Sequence, residues 1–240
     1  MDTNSNGYTL IYATVMVVIV ALMLAFVSGA LKDKQNANVE IDKKKQILTS
    51  LRIDTKGKNI EQLYEKYIVN GLVINTKGEI LSKSKEEAFK IDISKELSKN
   101  MEARRLPIFV AQIDGKTKYV LSLRGTGLWG PIWGYVSLND DRNTIYGAYF
   151  SHASETPGLG ANIADPPFQK QFEGKHILND RNEFVSLAVM KSGKKAEGKE
   201  QVDAISGGTI TSKGVEAMLQ NCLGQYEKFL QQSITGGNKE

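Results

Sequence analysis

The chain has 240 residues, 41% hydrophobic and 24% charged, with a net charge of +4. That is enough for one or two cores of ordinary size plus an extra segment. The basic residues are dispersed among acids without aromatic interleaving, so no dedicated nucleic-acid surface is indicated. The single cysteine, Cys222, excludes an internal disulfide and a cysteine-ligated cluster, and two histidines, His152 and His176, argue against a histidine-rich metal site.

A short tail, residues 1–9, leads into a run from Leu10 to Leu31 that contains no charged residue. As a helix it spans about 33 Å, against roughly 30 Å for a bilayer's hydrocarbon core. Tyr8 and Tyr12 stand where interfacial aromatics are expected. A cleaved signal peptide is the competing reading, with Ser28-Gly-Ala30 as its cleavage site. The run is too long for one and no Lys or Arg precedes it, so a single retained transmembrane helix is predicted. Lys32, Lys34 and Lys43 to Lys45 follow it, and the positive-inside rule alone puts the large C-terminal region in the cytoplasm.

Residues 32–52 read as a helix, with Val39, Ile41, Ile47, Leu48 and Leu51 near helical spacing. A turn at 55–59, a short helix from Ile60 to Tyr67, and two strands around Asn75-Thr-Lys-Gly78 come next. A polar helical patch runs from Lys83 to Arg104. Strands at Leu106–Ile113 and Lys118–Arg124 flank an Asp114-Gly115-Lys116 hairpin turn. Another pair, Tyr135–Leu138 and Ile145–Ser151, crosses the Asn139–Arg142 turn. After a loop from Glu155 to Pro167 and a short segment around Phe168–Phe172, Phe184–Val189 reads as a strand and 193–200 as a charged turn. A helix from Lys213 to Gln231 closes the domain, docking through Val215, Met218, Leu219, Cys222, Tyr226, Phe229 and Leu230. Residues 236–240 are predicted to be a disordered tail.

Three glycine-bearing segments could carry chemistry. In Gly125-Thr-Gly-Leu-Trp129-Gly130, glycines allow close approach by a flat ligand that Trp129 could stack on; a hairpin corner with a core tryptophan fits equally well. In His152-Ala-Ser-Glu155-Thr156-Pro-Gly-Leu159-Gly160, Pro-Gly fixes a turn beside an acceptor and a hydroxyl. No nucleophile–base pair assembles around His152. The third, Asp203-Ala-Ile-Ser206-Gly207-Gly208-Thr209-Ile-Thr211-Ser212, sets hydroxyls and a loose Gly-Gly pair ahead of a helix, where free N–H groups favour a phosphate. Thr211 or Ser212 is the expected N-cap, and an ordinary loop and cap is the bland reading. Asp203 reads equally as a turn residue or as part of recognition by a modifying enzyme.

The pattern Asp-x-x-Ser-Gly-(Ala/Gly)-Thr resembles the flavinylation motif of the FMN-binding domain family. With the N-terminal helix, Gly-Leu-Trp-Gly and Glu-Thr-Pro-Gly-Leu-Gly, the chain resembles the C-subunit family of the Na⁺-translocating NADH:quinone reductase from residue 10 to about 230. Gly208 departs from the family's more usual Ala. The resemblance implies an α+β fold: one transmembrane helix (10–31), a juxtamembrane region (32–104), then a mixed, largely antiparallel sheet domain with flanking helices that binds FMN (105–235). It implies covalent FMN on Thr209 through the phosphate, with Ser206, Gly207, Gly208 and Thr211 shaping the phosphate site. Trp129, Glu155, Thr156, Leu159 and Gly160 would line the flavin pocket. It further implies electron relay from NADH towards quinone, coupled to sodium export, within a six-subunit inner-membrane complex, and maturation by a flavin transferase. The family places the domain in the periplasm, against the charge bias; long domains translocate largely regardless of charge. Two rivals remain. The G-subunit family of Rnf-type ferredoxin:NAD complexes carries the same domain, although the long 32–104 region favours the quinone reductase. A membrane-anchored, non-redox binding module is the rival of another class.

Overall fold

The computed structural model describes residues 5–232, so the expectation for 236–240 lies outside the described residues. The chain divides into two units, Met1–Lys43 and Lys44–Glu240. In the first, helix α1 (Asn6–Ser50) carries the apolar run, and every residue from Leu10 to Leu31 is exposed. A helix that exposes so many aliphatic side chains matches lipid as its solvent, and its backbone groups are satisfied internally. The helix expected at 32–52 is present to Ser50 as the continuation of α1, because nothing between Leu31 and Ser50 interrupts the hydrogen-bond ladder.

In the second unit the end of α1 is buried: Ile47 and Leu48 are fully covered. The helix stops in a Schellman arrangement. Arg52 takes φ +60°, its N–H donates to Thr49 O (2.9 Å), and the Ile53 N–H donates to Leu48 O (3.1 Å). Then come α2 (Ile60–Tyr67), β1 (Ile68–Ile74), β2 (Ile80–Ser82), α3 (Lys85–Lys90) and α4 (Ile93–Leu97). The polar patch expected at 83–104 is thus several short pieces, because Ser84 and Asp92 each cap a new helix start. Strands β3 (Leu106–Ile113), β4 (Lys116–Thr126), β5 (Pro131–Leu138) and β6 (Ile145–His152) complete an antiparallel sheet in the order β2-β1-β3-β4-β5-β6. Asp114 and Gly115, both at positive φ, form the tight β3–β4 turn.

Side-chain alternation splits the core between the two faces of this sheet. Ile108, Leu121, Leu123 and Val136 face one cluster; Phe109, Val120 and Tyr135 face the other, with Ile47, Leu48 and Tyr64. The first cluster is covered by α5 (Pro166–Lys170) and, after the parallel pair β7 (Ala188–Met190) and β8 (Gln201–Asp203), by α6 (Thr209–Leu223) and α7 (Glu227–Gln231). Two expectations are corrected. The strand expected at 184–189 is reduced to β7, because Ser186 adopts φ +59° and breaks the extended run, and its parallel partner β8, which follows the charged turn at 193–200, was not expected at all. The closing helix starts at Thr209 rather than Lys213, and a tighter 3₁₀ turn at Gly224–Tyr226 divides it.

Phe150, Phe168 and Phe172 pack edge-to-face or tilted, with centroids 4.9 to 6.0 Å apart. Each such pair contributes about 0.5–1.5 kcal/mol beyond area burial. With the Gln169 amide donating to Phe150 O (3.1 Å) and Ala164 O (2.9 Å), they fix the segment after Gly160 beneath β6.

Candidate functional site

All three glycine segments lie at the ends of regular elements. The gap expected between strands ending at Arg124 and starting at Tyr135 is shorter in the fold, because β4 continues to Thr126 and β5 begins at Pro131. The remaining corner is closed by the Gly127 N–H donating to Gly130 O (2.8 Å). The second segment leaves β6, turns where the Leu159 and Ala161 amides donate to Thr156 O (3.1 Å each), and enters a 3₁₀ turn at Gly160–Ala164. The third turns at Ile205–Gly208, where the Gly208 N–H donates to Ile205 O (3.0 Å), and runs into α6. Gly207 sits at φ +72°, and a Cβ there would lie 2.6 Å from Leu159 Cδ2. The Gly-Gly pair is therefore a fixed turn packed on the second segment, not the slack expected from composition.

Glu155 joins the three. Its carboxylate is 5% exposed; Oε1 accepts from the Trp129 N–H (2.8 Å) and Oε2 from the Thr211 hydroxyl (2.5 Å). Its own N–H donates to His152 Nδ1 (3.1 Å), which gives that histidine a structural partner. A Cβ at Gly127 would stand 2.4 Å from Oε1, and one at Gly160 would stand 2.5 Å from Oε2. Both glycines are small because this carboxylate fills the space. A buried carboxylate must be met by donors, and two segments distant in sequence supply them.

Neither Thr211 nor Ser212 caps α6. Thr211 is turned to Glu155, and the Ser212 hydroxyl accepts from the Ile205 N–H (3.0 Å), tying the turn shut. The residue at the cap is Gly208, with no side-chain cap bond. The first backbone bond of α6 runs from the Ser212 N–H to Gly208 O (2.9 Å), so the amides of Thr209, Ile210 and Thr211 find no backbone acceptor among the described residues. Thr209, at the first helical position, is exposed, and its hydroxyl meets no partner among the described residues. Free amides, the positive end of the helix and an exposed hydroxyl suit a phosphate held there or esterified there.

Of the other predicted residues, Ser206 is exposed at the turn, Thr156 is exposed and braces its own loop through its carbonyl, and Gly208 is buried against Ile205. Each segment also exposes apolar side chains: Trp129 (65%) and Leu128 (48%), Leu159 (42%), and Ile210 (59%). Leu128 and Ile210 escaped the sequence reading. Their one signal was an aliphatic residue beside each key position, which also describes half of any core. Trp133, in the same glycine-rich run, belongs to β5 and donates through Nε1 to Gln46 Oε1 (3.1 Å). Elsewhere, Asp203 ends β8 with its backbone bridged by the Gln171 side chain. His176 pairs with Glu200 (2.7 Å) beside a cleft of about 430 Å³ lined by Asn143, Asp180 and Lys199, with no residue of the three segments in it.

Comparison with known proteins matches residues 127–224 to the FMN-binding domain family. The C subunit of the Na(+)-translocating NADH-quinone reductase from Haemophilus ducreyi is 32% identical over 229 residues, covering 90% of this chain and 88% of the relative. Its counterpart from Vibrio vulnificus is 29% identical over 233 residues, covering 90% and 91%. Among solved structures, the C subunit of the Parabacteroides distasonis reductase is 45% identical, with a TM-score of 0.78, covering 87% of this chain and 98% of that one. The Shewanella oneidensis NqrC structure has a TM-score of 0.68 at 26% identity, covering 82% of this chain and 98% of that one.

Proposed function

This chain belongs to the C-subunit family of the Na(+)-translocating NADH-quinone reductase, and on that footing we propose that it relays electrons from NADH towards quinone through FMN esterified to Thr209. In this reading the relay is coupled to sodium export, the chain works as one of six subunits, and a flavin transferase completes it. We also propose that residues 10–31 span the inner membrane with the flavin-bearing part in the periplasm. The division into 10–31, 32–104 and 105–235 belongs to the same proposal; its last part shares one sheet with β1 and β2.

One observation carries the reading: an exposed Thr209 hydroxyl, without a partner among the described residues, on the first turn of α6, which no side chain caps. The surroundings fit FMN. The amides of 209–211 and the Gly207–Gly208 turn would hold the phosphate, with Ser206 at the rim. Trp129, Leu159, Leu128 and Ile210 offer apolar surface for a flat ring. Gly160 and Glu155 are buried beneath these segments, where Glu155 acts through the fold, and Thr156 is exposed beside them on the second segment. When bound, flavin supplies reversible uptake and release of electrons; the chain's part is to fix its position and surroundings.

Intact mass of the full chain, co-expressed with its flavin transferase, tests the assignment. An FMN-sized increment that disappears in Thr209→Ala and persists in Thr209→Ser is the expected result. An increment retained in Thr209→Ala would place the attachment elsewhere.

A further inference from the structure

We propose that Glu155 and Thr211 form a positioning pair that sets the Thr209 hydroxyl in the geometry needed for flavin attachment. The proposal rests on the reading that Thr209 is the acceptor. Thr211 lies two residues after Thr209 on the same first turn of α6, and its hydroxyl donates to Glu155 Oε2 at 2.5 Å. The other oxygen of that carboxylate holds the Trp129 N–H (2.8 Å), so a single buried side chain locks the helix start to the 127–130 corner. The carboxylate occupies the space that side chains at Gly127 and Gly160 would otherwise fill. The Ser212–Ile205 and Gly208–Ile205 bonds brace the same turn from behind. Thr209 is thus exposed yet mounted on a rigid frame.

The step this serves is a group transfer. The Thr209 oxygen forms a bond to phosphorus of a flavin donor whose phosphate already bears a leaving group. The bond from phosphorus to that leaving group breaks, and the hydroxyl proton passes to a base of the transferase. No electrons change hands. Such a displacement needs the oxygen in line with the leaving group, and misplacement by about 1 Å costs on the order of 100-fold in rate.

The experiment uses the full-length chain in detergent, the transferase, and FAD, in which the FMN phosphate is already joined to a leaving nucleotide. Initial rates of in-gel flavin fluorescence are measured against chain concentration for the parent, Thr211→Val and Thr211→Ser. We expect Thr211→Val to lower the turnover on the order of 10- to 100-fold with its KM for the chain little changed, and Thr211→Ser to restore it. Amide exchange in 127–130 should rise in Thr211→Val alone, reporting the carboxylate's released hold on the corner. Parent-like turnover and unchanged exchange in Thr211→Val would overturn the pairing while leaving Thr209 as acceptor. Flavin retained in Thr209→Ala, run in parallel, would overturn both.

Discussion

Replacing Gly160 by alanine places a methyl group 2.4 Å from the Thr211 hydroxyl oxygen and 2.5 Å from Glu155 Oε2, where ordinary contact begins near 3.4 Å. Neither neighbour is the free end of a flexible chain: Glu155 is 5% exposed and Thr211 1%. Something must move by about 1 Å, and a hydrogen bond of 2.5 Å stretched that far is lost. Leaving a buried acceptor unmet costs about 1–3 kcal/mol and overpacking a similar amount; the two overlap, because the shift that relieves the clash is the one that breaks the bond, so about 3 kcal/mol is the combined figure. For a domain of this size the melting temperature should drop by roughly 6–12 °C. Gly208→Ala is the matched control. Its methyl would stand 3.0 Å from Ile205 Cγ2 and 3.2 Å from the Gly160 nitrogen, which a few tenths of an ångström relieve. The gain of about 0.4–1 kcal/mol from a stiffer unfolded chain offsets most of that cost. Thermal unfolding of both full-length variants by circular dichroism decides. Equal melting temperatures would show that the carboxylate can relax, and would refute the argument that Gly160 is small because of it.

Ser186 combines φ +59° with a fully buried hydroxyl that has no hydrogen-bond partner among the described residues. Ser186→Gly should therefore stabilise by about 1–2 kcal/mol and raise the melting temperature, and a decrease would mean that the hydroxyl is satisfied in solution. Burial pushes the Glu200 carboxyl up, but hydrogen bonds from His176 and Lys175 outweigh it, leaving its folded pKa below the usual value. That stabilisation is present above about pH 4.3 and is lost as pH falls through the folded value, so Glu200→Gln should flatten the acid limb of a stability–pH curve. An unchanged acid limb would remove Glu200 from the account. Burial raises the Cys222 thiol pKa, so maleimide should label the folded chain far more slowly than the urea-unfolded one. Equal rates would show that α6 opens readily.

The apolar run, the Asp-Gly hairpin and the period of β3 and β4 were legible because each is a local signal: a length, a turn chemistry, an alternation. The motif around Thr209 was legible as a glycine turn leading into a helix for the same reason. The start of α6 was misplaced by its own side chains. Thr211 and Ser212 have the chemistry of N-caps, and only the approach of Glu155 and the Ile205 amide diverts them. Nothing within ten residues of Thr211 announces that carboxylate. The parallel pair β7–β8 was illegible in the same way, since three-residue strands carry no period and their pairing is set by the sheet and helices beneath them. Glu155 was assigned to the pocket through the family resemblance of its Glu-Thr-Pro-Gly-Leu-Gly motif, while its bonds reach Trp129 and Thr211 on either side in sequence.

Those bonds also set an order of events. The carboxylate's donors come from a corner between β4 and β5 and from a helix that is among the last elements of the chain. A growing polypeptide that has completed the sheet still lacks one of the two, and the loop closures involved are among the slow, entropically costly steps of folding. If Thr209 is the acceptor, its hydroxyl is framed for reaction only once α6 has docked. Attachment of the flavin would then report that the domain has finished folding, and an incomplete or misassembled chain would be left without its cofactor.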